Sequence, residues 1–255
     1  MRPLSETSFD IAGPVGALPI IFIHGAAWTR AQWAPQIRAL SDAFRVAALD
    51  LPGHGVRAAE PFRLASATQV VVEVIAQASE SGARALVVGH SLGGYVAMAH
   101  AAAHPEQVAG LLLAGSCVDY RVLGRLSALD AWLSLRVMGE RRIITMQQKS
   151  VRESLPPALA EAQIAAGFTF GALPAVYGEL ARHDFRALLR TIPRPILIVN
   201  GERDRPNRRG ERQSLAACQQ GRLATIADCG HLCNLEQPED FNEQVRAMAQ
   251  RVGAR

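Results

Sequence analysis

The apolar positions of this chain gather into short unbroken runs. Residues 18–23, 44–49, 85–89, 108–114 and 196–199 form five of them, and residues 222–226 a sixth. Apolar runs of this length that scarcely alternate with polar residues predict strands covered on both faces. The intervals between them are too wide for hairpins. Residues 31–40, 68–79, 93–104 and 238–251 have the length and residue choice of helices. The last of these opens on Pro238-Glu239-Asp240, a proline and two acids suited to a first turn. Strand and helix in alternation imply an α/β fold, a mostly parallel twisted sheet with helices on both faces. One stretch breaks the rhythm. Residues 117–190 show no clear strand; Ala, Leu, Arg and Glu dominate, punctuated by Gly124, Gly139, Pro156-Pro157, Gly167, Gly171 and Pro174. This predicts several short helices inserted between the fourth and fifth strands.

The strongest chemical signal is Gly89-His90-Ser91-Leu92-Gly93, which fits G-x-S-x-G with a strand before it and a helix after it. A nucleophilic serine there must sit on a tight, strained turn so that its oxygen projects from the sheet, and small neighbours let strand and helix approach. A serine needs a base and an orienting acid. His231 follows the sixth strand and precedes the last helix, and Asp204 follows the fifth strand. The chain order Ser91, Asp204, His231 is the one this motif requires, and all three follow the carboxyl ends of strands. Asp119, after the fourth strand, is an alternative acid, whereas Asp228 is too close to His231 in sequence. His24-Gly25-Ala26-Ala27 leaves the first strand; the backbone N–H groups of Ala26 and Leu92 are the candidate oxyanion donors.

These motifs, together with Asp50-Leu51-Pro52-Gly53-His54-Gly55, Gly201-x-x-Asp204 and Glu236-Gln237-Pro238, resemble those of the α/β-hydrolase superfamily, and most of all its small, capped, esterase-like members. The resemblance runs from about Ile20 to Val245. It implies an α/β-hydrolase core formed by residues 1–116 and 191–255, with a helical cap at 117–190. It also implies that the Asp50–Gly55 stretch is structural, so His54 carries no catalytic role. Serine rather than aspartate at position 91 disfavours the dehalogenase and epoxide-hydrolase branches. The expected activity is a serine hydrolase acting on a small ester, thioester or lactone through an acyl-enzyme. The same triad serves C–C bond cleavage, elimination or acyl transfer in related chains, and a ligand-binding receptor with little turnover is the non-enzyme alternative.

Composition narrows the rest. The chain has 255 residues, 49% of them hydrophobic and 20% charged, so it is not a disordered chain. It has 27 Lys and Arg against 23 Asp and Glu, a surplus of four spread among acids, too weak a field for nucleic acid. The start lacks an apolar leader and no run is long enough to span a bilayer, so a cytoplasmic protein without a membrane partner is expected. Four cysteines are too few to staple a chain of this length. Cys229-x-x-x-Cys233 brackets His231 without the spacing of a metal site, and no nucleotide-binding glycine motif follows a strand, so neither metal nor cofactor is expected. A small-molecule substrate is the expected partner, with candidate contacts at Trp28, Tyr95 and Trp132 and weaker ones at Trp33, Phe168, Phe170 and Tyr177. The sequence sets no oligomeric state. Arg203, Arg205, Arg208, Arg209 and Arg212 read as a solvated basic loop beside Asp204, with attraction of an anionic substrate as the sharper alternative. Arg141-Arg142 has the same standing.

Overall fold

The computed structural model describes residues 7–79 and 82–253. Seven strands form one sheet: β1 (Phe9–Ala12), β2 (Pro19–Ile23), β3 (Arg45–Leu49), β4 (Ala85–His90), β5 (Val108–Ala114), β6 (Pro195–Gly201) and β7 (Gln220–Ile226). Their order is β1-β3-β2-β4-β5-β6-β7, and every pairing is parallel except β1 with β3. The helices are α1 (Ala34–Leu40), α2 (Leu64–Ala78), α3 (Leu92–Ala103), α4 (Tyr120–Met138), α5 (Glu140–Ser154), α6 (Pro157–Ala166), α7 (Leu173–Leu180), α8 (Phe185–Thr191), α9 (Arg205–Ala217), α10 (Cys233–Glu236) and α11 (Pro238–Gly253). This is the α/β-hydrolase fold, with α4–α8 as a helical insertion between β5 and β6. No helix among the described residues is long and apolar enough to cross a membrane.

The unbroken apolar runs have a simple cause. Side chains alternate across a strand, and both faces of this sheet are covered. Ile21 and Ile23 enter the core layer beneath α2 and α3, while Ile20 and Phe22 enter the opposite layer with Val245 and Met248 of α11. Each such side chain contributes about 1.5–3 kcal/mol by leaving water.

Two elements differ from the sequence reading. β1 escapes the apolar pattern because it is a four-residue edge strand, half-buried throughout and held by its antiparallel register on β3. The basic stretch after Asp204 is a helix rather than a loop: α9 carries Arg205, Arg208, Arg209 and Arg212, with Asp204 as its N-cap and a proline in the first turn. That start signature was present in Asp204-Arg205-Pro206-Asn207, but the arginines drew the reading toward solvent.

The insertion is held in two ways. Val176 and Leu180 of α7 and Phe185 and Leu189 of α8 join the main core layer. Val151 of α5, Leu155 just after it and Ala160 of α6 form a separate small cluster around Trp28, Phe168 and Leu235.

Candidate active site

Ser91 is the single residue between β4 and α3. Its φ of 50° and ψ of −115° are costly for a residue with a side chain. The surroundings hold it there. The Ser91 amide donates to the Ala114 carbonyl (2.8 Å), and the Ser91 carbonyl accepts from the Gly94 amide (3.0 Å) and the Ser116 hydroxyl (2.9 Å). A Cβ on Gly93 would lie 2.0 Å from the Ile23 carbonyl oxygen, so only glycine lets the first turn of α3 pack on the end of β2.

Asp204 and His231 meet above β5. His231 Nδ1 donates to Asp204 Oδ2 at 2.7 Å; the carboxylate is buried, while the imidazole is 44% exposed. Asn207, one turn into α9, donates its Nδ2 to both oxygens of Asp204 (3.1 and 2.9 Å) and accepts from the Cys117 amide (2.8 Å). Burial pushes the Asp204 carboxyl up, but the hydrogen bond and charge of His231 and the two Asn207 contacts outweigh it and hold the pKa below its usual value. The pair rests on Gly115, whose φ is +57° and where a Cβ would lie 2.9 Å from His231 Cε1. Asp119 lies elsewhere. It caps α4 and pairs with Arg121 (2.8 Å) and Arg186 (3.5 Å), and its hydrogen bond from Arg121 keeps its pKa low.

The Gly25–Trp28 turn lies against the serine turn. A Cβ on Gly25 would be 3.5 Å from Ser91 Cβ, and the turn is closed by the Trp28 amide on the Gly25 carbonyl (3.2 Å), with Ala27 at φ +67°. Thr169 of the insertion donates its amide to the Ala27 carbonyl (3.0 Å). Neither the Ala26 amide nor the Leu92 amide donates a hydrogen bond among the described residues. Leu92 opens α3, where amides have no partner within the helix.

A buried network that sequence reasoning missed joins these three segments. His90 Nε2 donates to the His231 carbonyl (2.7 Å). The neutral ring therefore accepts at Nδ1, from Gln32 Nε2 (2.9 Å). Gln32 Oε1 in turn accepts from the Gly25 amide (2.9 Å), and Gln32 also bonds Asn234 through Nε2 (3.3 Å) and its carbonyl (3.4 Å). Burial, then the nearby His231, push the His90 pKa down to about 3, so the His90 ring is neutral. Glu236 accepts from the Gly230 and Leu232 amides (2.8 and 3.2 Å) and so shapes the loop that carries His231. An isolated polar residue such as Gln32 carries no spacing signal, whereas Asn207 has one, as the third residue after the helix cap Asp204.

The remaining histidines near this face are structural. His24 Nδ1 donates to the Gly25 carbonyl (2.7 Å) and its Nε2 accepts from the Leu51 amide (3.0 Å). His54 donates to the Pro52 carbonyl (3.0 Å). Asp50, fully buried with Arg30, accepts from the Arg30 amide (2.7 Å) and guanidinium and from the Val56 amide (3.2 Å), which fixes the Asp50–Gly55 loop. No group of three or more His, Cys, Asp or Glu among the described residues is arranged to hold a metal ion.

The three aromatic candidates stand in three different surroundings. Tyr95 is buried, donates to the Val118 carbonyl (2.9 Å) and meets Tyr120 edge to face (5.5 Å). Trp28 is buried edge-on against Phe168 (5.1 Å), at the joint with α5 and α6. Trp132 is 51% exposed on α4. A groove of about 500 Å³ runs between α4, α5 and α7, lined in part by Leu126, Ala131, Phe170, Leu173 and Tyr177. Its lining includes neither Ser91 nor His231. Tyr177 stacks on Tyr120 (5.6 Å), so a line of three tyrosines connects the groove to α3.

A parallel sheet with a strained serine between β4 and α3, an acid after β6 and a histidine after β7 defines an α/β hydrolase. Residues 20–244 match the alpha/beta hydrolase family, and the chain belongs to that family. It is 30% identical over 247 residues to the pimeloyl-[acyl-carrier protein] methyl ester esterase of Nitrosomonas europaea, covering 87% of this chain and 92% of that one. Among solved structures, a thermophilic esterase from Thermogutta terrifontis superposes with a TM-score of 0.77 at 22% identity, covering 96% of this chain and 93% of that one. The enol-lactonase from Burkholderia xenovorans LB400 gives a TM-score of 0.77 at 22% identity, covering 94% of each. These relatives set the protein beside the carboxylic ester hydrolases of the family.

Proposed function

We propose that this protein is a serine hydrolase that cleaves a small ester, thioester or lactone through an acyl-enzyme, with Ser91 as nucleophile, His231 as base and Asp204 as the orienting acid. The observation that carries the reading is the 2.7 Å His231–Asp204 pair on the same face as a serine in a strained turn. With Nδ1 donating to Asp204, Nε2 of the neutral ring is the free base. It takes the Ser91 proton as the serine oxygen attacks the carbonyl carbon. The negative charge that develops on the carbonyl oxygen is met by the Ala26 and Leu92 amides, each worth about 2.7–4 kcal/mol in comparable sites. Protonated His231 then gives its proton to the leaving alcohol or thiol. Water, deprotonated by His231, attacks the acyl-enzyme and releases the acid and free Ser91. The low pKa of Asp204 keeps it anionic throughout, and the neutral His90 ring leaves the positive charge of His231 without a cationic neighbour.

The pimeloyl-[acyl-carrier protein] methyl ester for which the Nitrosomonas europaea relative is named supports an acyl ester as the first substrate class to test. The deciding experiment compares wild type with Ser91→Ala on a panel of acyl esters, thioesters and lactones and with a fluorophosphonate probe. Both turnover and labelling are expected to vanish in the variant. Ester cleavage that persists at the wild-type rate overturns the nucleophile assignment.

A further inference from the structure

Helix α4 is built inside out. Its small residues face inward: Gly124 lies against Ala181 and the Tyr177 carbonyl, and Gly124 and Ala131 are its buried positions. Its large apolar residues face water. Val122, Leu126, Leu129, Leu133 and Val137 recur at the spacing of one helical stripe and are 45–79% exposed. Leu123, Trp132 and Met138 flank them and Met146 of α5 adds to them. Nine of the twelve exposed large apolar side chains among the described residues therefore sit on this helix pair. Burial of such groups is worth about 25 cal/mol per Å², so a contiguous set left in water marks a surface that something covers.

The same pair concentrates the charge of the whole chain. Residues 120–154 hold seven Lys and Arg against three Asp and Glu, a surplus of four equal to that of all 255 residues. Arg125, Arg136, Arg141 and Arg142 make no ion pair among the described residues. Arg125 and Arg136 border the apolar stripe, one turn from Leu129 and Leu133. A two-fold contact with a second copy would set this surplus against itself. An apolar stripe edged by unpaired arginines instead matches an interface that is apolar within and anionic at its surface.

We propose that the α4–α5 face docks on an anionic phospholipid bilayer, the stripe entering the headgroup boundary and the four arginines meeting lipid phosphates. Leu126 and Met138 belong both to this face and to the groove between α4, α5 and α7, so an apolar molecule leaving the bilayer meets the groove at the contact. Docking does not depend on the hydrolase reading, and the Ser91→Ala protein is expected to bind as wild type does.

The test is co-sedimentation of the full chain with vesicles of phosphatidylglycerol mixed into phosphatidylcholine, against phosphatidylcholine alone. Trp28 and Trp33 are buried, so a change in tryptophan emission reports Trp132. Binding to the anionic vesicles, a blue shift and quenching by brominated acyl chains are expected. The Arg125→Gln/Arg136→Gln variant should bind about fivefold more weakly per arginine. The Leu129→Glu/Leu133→Glu variant should bind at least about tenfold more weakly per leucine. Its Tm and its turnover of a soluble ester, both unchanged, show that it is folded. Failure to bind anionic vesicles at low salt overturns the proposal in favour of a protein partner. Equal binding to phosphatidylcholine alone, or binding untouched by the leucine variant, also overturns it. So does a dimer that the leucine variant dissociates while neither form binds lipid.

Discussion

The sheet layer and the α4–α5 pair obey opposite rules within one chain. In the sheet, β2, β4 and β6 are buried along their whole length, and the polar groups around Ser91 are paired through Gln32, His90, Asn207 and Asn234. In α4 most of the large apolar residues lie outside, with Met146 of α5 beside them, and four arginines of the pair make no ion pair among the described residues. The difference teaches where each kind of information resides. A reaction that depends on distances of about 3 Å needs side chains locked on all sides, whereas selection of what the protein meets needs surface left uncovered.

The sharpest way to break this comparison is through the acid. Asp204→Asn should lower kcat about 10⁴-fold, while Asp119→Asn, which keeps the capping oxygen and removes only the charge of a partly exposed ion pair, should leave it nearly intact. Steady-state kinetics on one ester decide it, and a larger loss at Asp119 would exchange the two roles. Acid should act next, and on the core alone. Burial holds the His24, His54 and His90 pKa values at about 4, 3 and 3, below the 6.5 of an exposed histidine. The unfolded chain therefore binds protons that the folded chain refuses. Their contribution is complete above about 6.5 and is lost as pH falls toward 3–4, on the order of several kcal/mol together. Thermal melts between neutral pH and this range should show Tm falling, and a flat profile would contradict neutral buried histidines.

Packing gives the next contrast. Ile198→Ala in β6 should cost about 2–5 kcal/mol, and Leu129→Ala in α4 should stay within about 0.5 kcal/mol, as read by denaturant unfolding. Similar losses at both positions would mean that α4 is covered. A smaller loss of activity than at Asp204 is expected at Gln32. Gln32→Ala strands the Gly25 amide and His90 Nδ1, so kcat should fall about tenfold with KM little changed, since the network positions the turn and the His231 loop rather than the substrate. A pure rise in KM would instead place Gln32 in substrate binding.

Much of the core was legible in advance because its causes are local or repetitive. Continuous apolar runs follow from a sheet covered on both faces, and Gly89–Gly93 follows from the steric demand of one strained residue between strand and helix. β1 was illegible because an edge strand of four half-buried residues leaves no apolar run. The helix after Asp204 was misread because arginines serve equally well on a solvated loop and on the outer face of a helix.

By itself the sequence determined the layer order, the strained serine and the chain order of serine, acid and histidine, since backbone sterics and apolar periodicity act over a few residues at a time. Only the tertiary structure decided that Asp204 rather than Asp119 meets His231, that Gln32 ties three distant segments together, and that α4 turns its leucines outward. Those outcomes depend on which surfaces are brought within about 3–4 Å of each other, and composition carries no record of that distance.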